Sequence, residues 1–504
     1  MLNSIIKNSV LMILSISYFL FRLVNLTKLP IFNDEAIYLD WGFRETHIPG
    51  ALFYSLYDAK QPFLMWIFGI FESFISDPLF AGRFVSVIAG FLTMVGLYKI
   101  SEKYFSKRVA LFSSLIYIIV PIFVFYDRQA LMESAIGAIG VWSAYYLLKV
   151  TESKKIKDSV ILGIILGFGF FIKSSALIFL ISVIFVLIFY FIKNSRILLK
   201  NLIAVLLSFA TVDFLLFINP QFWSTLSTNS RFVFTAKELL GFPISAWVKN
   251  LFGNLEISFF FITPLVFISS LIGVYFVLKN KNSPKKLVIY LFLSIFIQAL
   301  TIKGTSQRYL VSFLPILVIF SIYGIRLISE KLKINILVPF FVLIFLPAVI
   351  SGIIIFSPDK YFLSMGRFSQ YTETLYIKGQ TSGYGVLEAI SYIKNGAGDK
   401  HAIAAVALNT GNPESAILTY LYKDANLKSV YLDTRLFKPQ FLSFDCLRSP
   451  YPLYFVAREE QQGGLNKYLY FKKKFKNPYS NYSVKVYKLR ENCSGKTIDL
   501  SPIL

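Results

Sequence analysis

Residues 335–356 read NILVPFFVLIFLPAVISGIIIF, a stretch without a single charged side chain. A helix that crosses the hydrocarbon core of a bilayer needs about 20 such residues, so this stretch predicts a membrane span. Similar apolar runs recur from the N-terminus up to this one. Of the 504 residues, 56% are hydrophobic and only 16% are charged, whereas a soluble protein carries about a quarter charged residues. The sequence therefore predicts a polytopic α-helical membrane protein.

The apolar runs predict about eleven membrane-spanning helices. They cover residues 8–26, 80–98, 109–125, 131–148, 159–172, 174–192, 201–218, 258–278, 287–302, 309–326 and 335–356. Clusters of lysine and arginine fall in the loops at residues 99–108, 149–157, 193–200, 279–286 and 326–333. All these loops lie on one predicted side of the membrane, which the positive-inside rule makes cytoplasmic. The N-terminus is then cytoplasmic, and everything after Phe356 lies outside.

After Phe356 the composition becomes that of a soluble domain. Helical patterns at 385–394 and 415–422 alternate with strand patterns at 401–408, 430–432, 453–457 and 482–489. This alternation is typical of a small α/β domain. We therefore predict a membrane domain over residues 1–356 and an extracytoplasmic domain over residues 357–504. Because that compartment can be oxidising, Cys446 and Cys493 could form a disulfide, and two free thiols are the alternative.

The first outer loop contains the stretch Phe32-Asn33-Asp34-Glu35-Ala36-Ile37-Tyr38-Leu39-Asp40-Trp41, with two acidic residues just outside the first span. One interpretation is structural, with Asn33 or Asp34 capping a helix and Glu35 in its first turn. The other is catalytic, with Asp34 as a base and Glu35 beside it. Apolar residues recur at helical spacing within 37–41 and 63–70, which predicts amphipathic helices lying in the membrane interface.

The predicted topology brings further charged side chains to the outward face. The carboxylates are those of Asp34, Glu35, Asp127 and Glu133, the cations are Lys60, Arg83, Arg128, Lys173 and Arg308, and Tyr309 adds a phenol. Such a set suits the attack of a hydroxyl on a carbon that bears a phosphate leaving group. A carboxylate would take the proton of the hydroxyl, and cations or a metal ion would stabilise the charge that develops on the phosphate.

Several of these residues also have a structural interpretation. Lys60 and Lys173 could be interface residues whose charge reaches the headgroups while the stem stays apolar. Arg128 could pair with Asp127 or Glu133 and so neutralise charge near the membrane.

The remaining two cations and the phenol also have structural interpretations. Arg83 could be purely structural, and Arg308 could be an ordinary loop cation. Tyr309 could belong to the belt of aromatic residues at the membrane interface.

The chain has only two cysteines and two histidines, which excludes a conventional Cys/His zinc site. A metal ion would need carboxylate ligands, with Glu133 and Asp34 as candidates, and would be of the Mg²⁺ or Mn²⁺ type. The net charge of +23 is strongly positive. Much of it falls in short clusters between apolar runs, so it indicates membrane topology rather than nucleic-acid binding.

Six short motifs together resemble those of the GT-C glycosyltransferases, most closely the protein O-mannosyltransferases and the lipid A aminoarabinose transferases. Asp34-Glu35 resembles the acidic pair of the family's first outer loop. Residues 60–64, Lys-Gln-Pro-Phe-Leu, resemble its Lys-Pro-Pro-Leu with glutamine in place of the first proline. Residues 82–86, Gly-Arg-Phe-Val-Ser, resemble its Arg-Leu-x-Ser at the second span.

The other three motifs follow in the family's order. Residues 128–133 resemble its Arg-x₄-Asp, with Glu133 in place of the aspartate, and residues 169–173 resemble its Gly-x₃-Lys. Arg308-Tyr309 followed by Pro315 is similar to its late Arg-Tyr…Pro. The resemblance covers residues 8–356, and the oligosaccharyltransferase signature Trp-Trp-Asp-Tyr-Gly is absent from the sequence.

The resemblance implies a polyprenyl-phosphate-linked sugar as donor, inversion at the anomeric carbon, and Asp34 as the base. It implies that Lys60, Arg83, Arg128, Lys173, Arg308 and Tyr309 bind the donor phosphate. Glu133 keeps a carboxylate at the family's aspartate position but has a longer reach, which leaves a metal role there open. We expect a multi-pass protein of a prokaryotic cytoplasmic membrane that contacts membrane lipids and transfers the sugar to an unidentified hydroxyl acceptor.

Two other classes of function remain open at this point. A transporter or lipid flippase would need charged groups near the bilayer midplane and two related halves with broken helices. Here the ionisable residues fall at one predicted rim, and no halves repeat. A non-enzymatic envelope protein that binds a partner through its outer domain would not need the set of acids and cations.

Overall fold

The computed structural model describes residues 2–364, 370–432, 446–458, 468–490 and 497–499. The chain divides into two compact units. The first unit consists of Met1–Leu26, Pro49–Ile67 and Arg83–Phe356, and the second consists of Thr27–Ile48, Phe68–Gly82 and Ser357–Leu504. Cys493, one partner of the possible disulfide, lies outside the described residues.

The first 356 residues are mostly helical. In chain order, the helices are Leu2–Leu23, Asn33–His47, Phe63–Phe74, Pro78–Tyr104, Lys107–Ile119, Pro121–Tyr126, Glu133–Ser153, Ile156–Ile172, Leu177–Phe191, Ser195–Val212, Phe214–Phe217, Pro220–Thr225, Ala236–Leu240, Ile244–Phe261, Pro264–Lys279, Lys285–Thr301, Gln307–Leu310, Pro315–Leu332 and Leu337–Phe356. By length and hydropathy alone, 4 of the described helical segments could cross a membrane, and two bent pairs would raise the number to 6.

In three of the predicted spans the helix breaks and a proline begins the second piece: Pro121, Pro264 or Pro315. Proline suits the first position of a helix because its missing N–H would have no partner there. The axis bends by 116° at the break before Pro264 and by 58° at the break before Pro315. The helix before Pro264, Ile244–Phe261, lies mostly between the predicted spans 201–218 and 258–278, where no helix was predicted.

Two helices of the first unit cross closely at a pair of glycines. Gly273 and Gly324 lie on Pro264–Lys279 and Pro315–Leu332, and a Cβ on Gly324 would lie 2.7 Å from the backbone nitrogen of Gly273. The hydroxyls of Ser269 and Ser321 hydrogen-bond across the same crossing at 2.5 Å. Small residues allow membrane helices to approach, and hydroxyl pairs between them add to the contact.

The C-terminal part of the second unit is a mixed α/β layer. Its helices include Val386–Ala397 and Glu414–Leu421. Its strands are β1 (Ala402–Ala407), β2 (Leu427–Leu432), β3 (Cys446–Arg448), β4 (Leu453–Arg458), β5 (Leu469–Lys476), β6 (Ser483–Leu489) and β7 (Thr497–Asp499). A five-stranded sheet has the order β2-β1-β4-β6-β5, and β3 pairs with β7. The prediction of helices alternating with strands is confirmed in the described part of this region.

One strand of this sheet was not predicted. β5 includes Lys472, Lys473 and Lys474, a charged run for which no strand was predicted. These lysines are exposed, and the pairing of β5 with β6 shifts register between Phe471 and Lys473. Because β5 is an edge strand, charged side chains and a bulge there hinder pairing with another sheet.

Candidate active site

Glu133, Lys173 and Arg308 form one charged group in the first unit, which we call the Glu133 cluster. Nζ of Lys173 and Nε of Arg308 each lie 2.8 Å from Oε1 of Glu133. The glutamate side chain is 1% exposed, whereas the lysine and arginine side chains are 23% and 18% exposed. Both cations therefore keep access to a ligand while a buried carboxylate fixes their positions.

Local structure explains how three distant motifs meet. Glu133 is the first residue of the helix Glu133–Ser153, and Lys173 follows the last residue of Ile156–Ile172. Arg308 lies in the short helix Gln307–Leu310, whose N-cap Ser306 accepts a hydrogen bond from the Arg308 backbone. All three residues thus stand at helix ends.

Two neighbours complete the Glu133 cluster. The hydroxyl of Ser312 donates to the backbone carbonyl of Glu133 at 2.9 Å. The ring centroid of Tyr309 lies 5.9 Å from Nζ of Lys173. Oε2 of Glu133 is buried and has no hydrogen-bond partner among the described side chains. The phenol predicted for this site therefore lies beside one of its cations.

Lys60 belongs to a second charged group of the same unit. Its Nζ lies 3.7 Å from Oδ2 of Asp58, and Oδ1 of Asp58 accepts a hydrogen bond from Nη2 of Arg231 at 2.7 Å. The ring of Phe232 lies 5.4 Å from Nζ of Lys60 and 5.2 Å from the guanidinium carbon of Arg231. Neither Asp58 nor Arg231 was predicted from the sequence. For Asp58 the only signal was its position two residues before Lys60.

Arg83 and Arg128 have the contacts of structural residues. Nη1 of the fully buried Arg83 donates to the carbonyl of Leu26 at 2.8 Å. Arg128 is 5% exposed, and its guanidinium donates to four backbone carbonyls between residues 21 and 25, at 2.7–3.4 Å. These bonds satisfy the carbonyls at the end of the first helix, which lack helical partners. The predicted pairing of Arg128 with Asp127 or Glu133 is not among these bonds.

Asp127 is part of a buried network rather than an accessible carboxylate. Oδ2 of Asp127 accepts from Nε of Arg22 at 3.1 Å and from Tyr18 and Tyr117 at 3.2 and 3.1 Å. Its Oδ1 accepts from Ser134 at 2.8 Å. Arg22 is completely buried, and its importance could not be inferred from the sequence of the first span.

Asp34 and Glu35 lie in the second unit, at the start of the helix Asn33–His47. Asp34 is partly exposed, and Glu35 is fully buried. Oε2 of Glu35 accepts a hydrogen bond from the backbone nitrogen of Phe32 at 2.9 Å, so Glu35 caps the helix. The predicted cap by Asn33 or Asp34 is wrong, because the N-cap residue is Phe32 and its side chain makes no capping bond.

The rest of this helix is anchored in the second unit. Oδ1 of Asp40 accepts from Nε of Arg44 at 2.8 Å and from the hydroxyl of Tyr422. The ring of Tyr422 also stacks on Phe43, with centroids 4.1 Å apart. Burial raises the pKa of the Asp40 carboxyl, and Arg44 and Tyr422 partly offset that rise. Tyr38 and Trp41, predicted to face the membrane interface, are buried.

Among the described side chains, no cluster of three or more histidines, cysteines, aspartates or glutamates could hold a metal ion. Two cations already share Oε1 of Glu133. Their charge would repel a divalent cation at that oxygen.

A polar cleft occurs in the C-terminal part of the second unit. Its open space is about 400 Å³, and its walls include Gln380, Tyr384, Asn412, Arg458 and Tyr482. Nη2 of Arg458 donates to Oε2 of the buried Glu414 at 2.8 Å, which neutralises the only cation among these wall residues.

Comparisons with known proteins identify the fold. The family model described as dolichyl-phosphate-mannose-protein mannosyltransferase matches residues 59–223. ArnT from Cupriavidus metallidurans in the apo state matches with a TM-score of 0.60 and 13% identity, over 96% of this chain and 98% of that chain. ArnT from the same organism bound to undecaprenyl phosphate matches with a TM-score of 0.54 and 12% identity, over 95% and 97% of the two chains.

A third structure is an oligosaccharyltransferase from Archaeoglobus fulgidus, with a TM-score of 0.48 and 13% identity, over 94% of this chain and 73% of that chain. No curated protein sequence is significantly similar to the chain. The matched segment 59–223 contains Lys60, Arg83, Arg128, Glu133 and Lys173. The family model confirms the resemblance over residues 59–223, which contain four of the six motifs, and the ArnT structures are similar in fold.

Proposed function

We propose that this chain is a glycosyltransferase of the GT-C superfamily and that it transfers a sugar from a polyprenyl-phosphate donor to a hydroxyl acceptor, a proposal that the family-model match and the ArnT-like fold support. The sugar is a hexose or a pentose, and the acceptor hydroxyl belongs to a lipid, a glycan or a protein. Transfer takes place with inversion on the extracytoplasmic face of a prokaryotic cytoplasmic membrane. The segment 357–504 lies on that same face.

The Glu133 cluster is the observation that carries this proposal. Two cations share one carboxylate, so the cluster has a net positive charge and suits an anionic phosphate. The lysine offers a compact charge, and the planar guanidinium of Arg308 can bind two phosphate oxygens at once. The undecaprenyl phosphate bound to the structurally similar ArnT supports a ligand of the same class.

The proposed reaction exchanges one bond at the anomeric carbon for another. The acceptor oxygen forms a bond to this carbon while the bond to the phosphate oxygen breaks, through an oxocarbenium-like state. Polyprenyl phosphate leaves with the bonding electron pair, and Lys173 and Arg308 stabilise its charge. Lys60 assists in binding the phosphate. We assign Arg83 and Arg128 a structural role, on the strength of their bonds to backbone carbonyls.

Asp34 is the proposed base that takes the proton of the acceptor hydroxyl. Its position in the first turn of Asn33–His47 and its partial exposure are compatible with that role. Glu35 supports it, because Glu35 is buried and caps the helix that carries Asp34. An Mg²⁺ or Mn²⁺ ion held by Asp34 would stabilise charge on the leaving phosphate. We assign no step to such an ion.

The test is sugar transfer by the purified protein in lipid vesicles, with radiolabelled polyprenyl-phosphate sugars and a panel of acceptors. Asp34→Asn should lower kcat by about 10² or more, because the base is lost. The matched control Asp399→Asn changes an exposed aspartate and should leave transfer unchanged. Addition of EDTA in a parallel sample tests the need for a metal ion.

A second part of the experiment tests whether Lys173 and Arg308 bind the donor. Lys173→Ala and Arg308→Ala should raise KM for the donor by about tenfold each, whereas the exposed Lys249→Ala should not. Undiminished transfer by Asp34→Asn would remove Asp34 as the base. If the lipid-linked sugar moved across the vesicle membrane but was not transferred to any acceptor, this would contradict the proposed glycosyltransferase activity and favour a flippase.

A further inference from the structure

The start of the helix that carries Asp34 is held by two loops of the C-terminal segment of the same unit. Residues 379–383 form one loop, and residues 409–413 form the other. We call Ile31, Asn33, Thr381 and Asn412 the Asn412 junction, because the bonds among them centre on that asparagine.

Four hydrogen bonds make up the junction. The backbone nitrogen of Asn33 donates to the carbonyl of Thr381 at 2.9 Å. The backbone nitrogen of Asn412 donates to Oδ1 of Asn33 at 2.8 Å. Nδ2 of Asn412 donates to the carbonyls of Ile31 and Thr381, at 3.0 Å each. Asn33, the residue immediately before Asp34, is thus held through both its backbone nitrogen and its side chain.

The junction is tightly packed and buried. Asn412 is 2% exposed. A Cβ on Gly411 would collide with the side-chain amide of Asn33, and its φ of +102° favours glycine. A Cβ on Gly383 would lie 2.9 Å from the backbone nitrogen of Ile31 and closer still to its carbonyl oxygen. The close approach of both loops therefore depends on glycine.

We propose that Asn412 is a positioning residue for Asp34, and this proposal rests on the proposed function of Asp34 as the base. Helix ends fray and open more easily than helix centres. The contacts of Asp40 and Phe43 with Tyr422 anchor the middle of Asn33–His47. The junction instead holds the residues that precede Asp34, so it determines where the carboxylate lies.

The chemistry of the junction calls for an amide at position 412. The side chain at position 412 faces two backbone carbonyls, those of Ile31 and Thr381, and only a hydrogen-bond donor can bond to both. Asn412→Asp would place a carboxylate against these carbonyls, and Asn412→Ala would leave both without this donor. Either change loosens the start of the helix without altering Asp34 itself or the cations of the Glu133 cluster.

The first experiment does not depend on activity. Amide hydrogen exchange is measured for the peptide that covers residues 29–38, in the wild type and in Asn412→Ala. We expect exchange to become about tenfold faster or more in the variant, because the first turn opens more often. The control is Asn409→Ala, an exposed asparagine in the same loop, which should exchange like the wild type. Unchanged exchange in Asn412→Ala would overturn the role of the junction, whether or not transfer is ever detected.

The second experiment separates positioning from folding. In the transfer assay, Asn412→Ala should lower kcat by about tenfold or more, since a small displacement of a base slows proton transfer strongly. KM for the donor should stay unchanged, because Lys173 and Arg308 are untouched. Faster exchange with an unchanged kcat would overturn the positioning role. If the wild type transfers no sugar, the proposed function fails, and the exchange result still decides on the junction.

Discussion

Lys173 and Arg308 donate hydrogen bonds to the same carboxylate oxygen, Oε1 of Glu133, at 2.8 Å each. Two like charges held this close repel each other, and the shared carboxylate offsets that repulsion. A phosphate group bound to the two cations would do the same. The Glu133 cluster therefore keeps a net positive charge that a second anion could neutralise.

Replacement of Glu133 should affect ligand binding and stability together. Glu133→Gln keeps an acceptor but removes the charge, so Lys173 and Arg308 would lose their fixed positions. We expect KM for the donor to rise about tenfold and the free energy of unfolding to fall by about 2–3 kcal/mol. Donor titration and thermal unfolding in detergent would measure the two effects.

Two further variants sharpen this prediction. Glu133→Asp keeps the charge and introduces the residue found at this position in the family that the chain resembles. Its effects on donor KM and on the free energy of unfolding should therefore be smaller than those of Glu133→Gln. Glu256→Gln changes an exposed glutamate and should behave like the wild type. Equal donor KM values for Glu133→Gln and the wild type would show that the carboxylate does not position the cations.

Arg128 offers a prediction that separates structure from ligand binding. Arg128→Lys keeps the positive charge, but one ammonium group cannot reach the carbonyls of Arg22, Val24 and Asn25 together. We expect a loss of about 2 kcal/mol in stability, measured by thermal unfolding, with an unchanged donor KM. The exposed Arg108→Lys is the matched control. A raised donor KM without loss of stability would instead assign Arg128 to the phosphate.

The sequence predicted that Glu133, Lys173 and Arg308 share one face, but it did not predict their contact through Oε1 of Glu133. Glu133 and Lys173 each stand at a helix end, and Arg308 lies in a short capped helix, so motif order and predicted topology were enough to assign them to one face. The predicted position of Glu35 in the first turn of its helix is confirmed as well. The bonds of Arg128 could not be predicted, because they go to backbone carbonyls and leave no pattern in the sequence.

Other features lay beyond sequence reasoning for physical reasons. The Asn412 junction joins residues far apart in the chain through backbone groups, which every residue type possesses. Strand β5 was missed because three consecutive lysines interrupt the alternation that marks a half-buried strand. The part of the helix Ile244–Phe261 that precedes the predicted span 258–278 was missed because the usual pattern is reversed there. Its buried residues include the polar Asn250 and Asn254, while apolar residues such as Phe252 are exposed.

The close helix crossing at Gly273 predicts a stability effect unrelated to the site. A Cβ at Gly273 would collide with the backbone carbonyl of Phe320 on the neighbouring helix. Gly273→Ala should therefore lower the free energy of unfolding by about 1–3 kcal/mol, because one helix has to shift. Gly352→Ala is the control, since nothing lies within 4 Å of a Cβ there. Equal thermal midpoints for the two variants would argue against this crossing.

Glu72 predicts a dependence of stability on pH. It is 2% exposed, and its Oε1 has no hydrogen-bond partner among the described residues. Burial raises its pKa well above the ordinary value, Lys423 lowers the pKa in part, and Asp40 raises it further. The folded state therefore binds this proton more tightly than the unfolded state. The resulting stabilisation is fully present below the unfolded pKa of about 4.3 and is lost as the pH rises through the raised pKa.

Glu72→Gln tests this sign, because glutamine resembles the protonated acid and does not titrate. At pH 4 the variant and the wild type should unfold at the same temperature. At pH 8 the variant should unfold at a higher temperature, by about 2–4 °C for each kcal/mol that the wild type loses. The control Glu388→Gln, at an exposed helix position, should show no such divergence. If the wild type were instead the more stable protein at pH 8, the Glu72 carboxylate would have to be stabilised in its charged form, and Lys423 would be the group that outweighs burial.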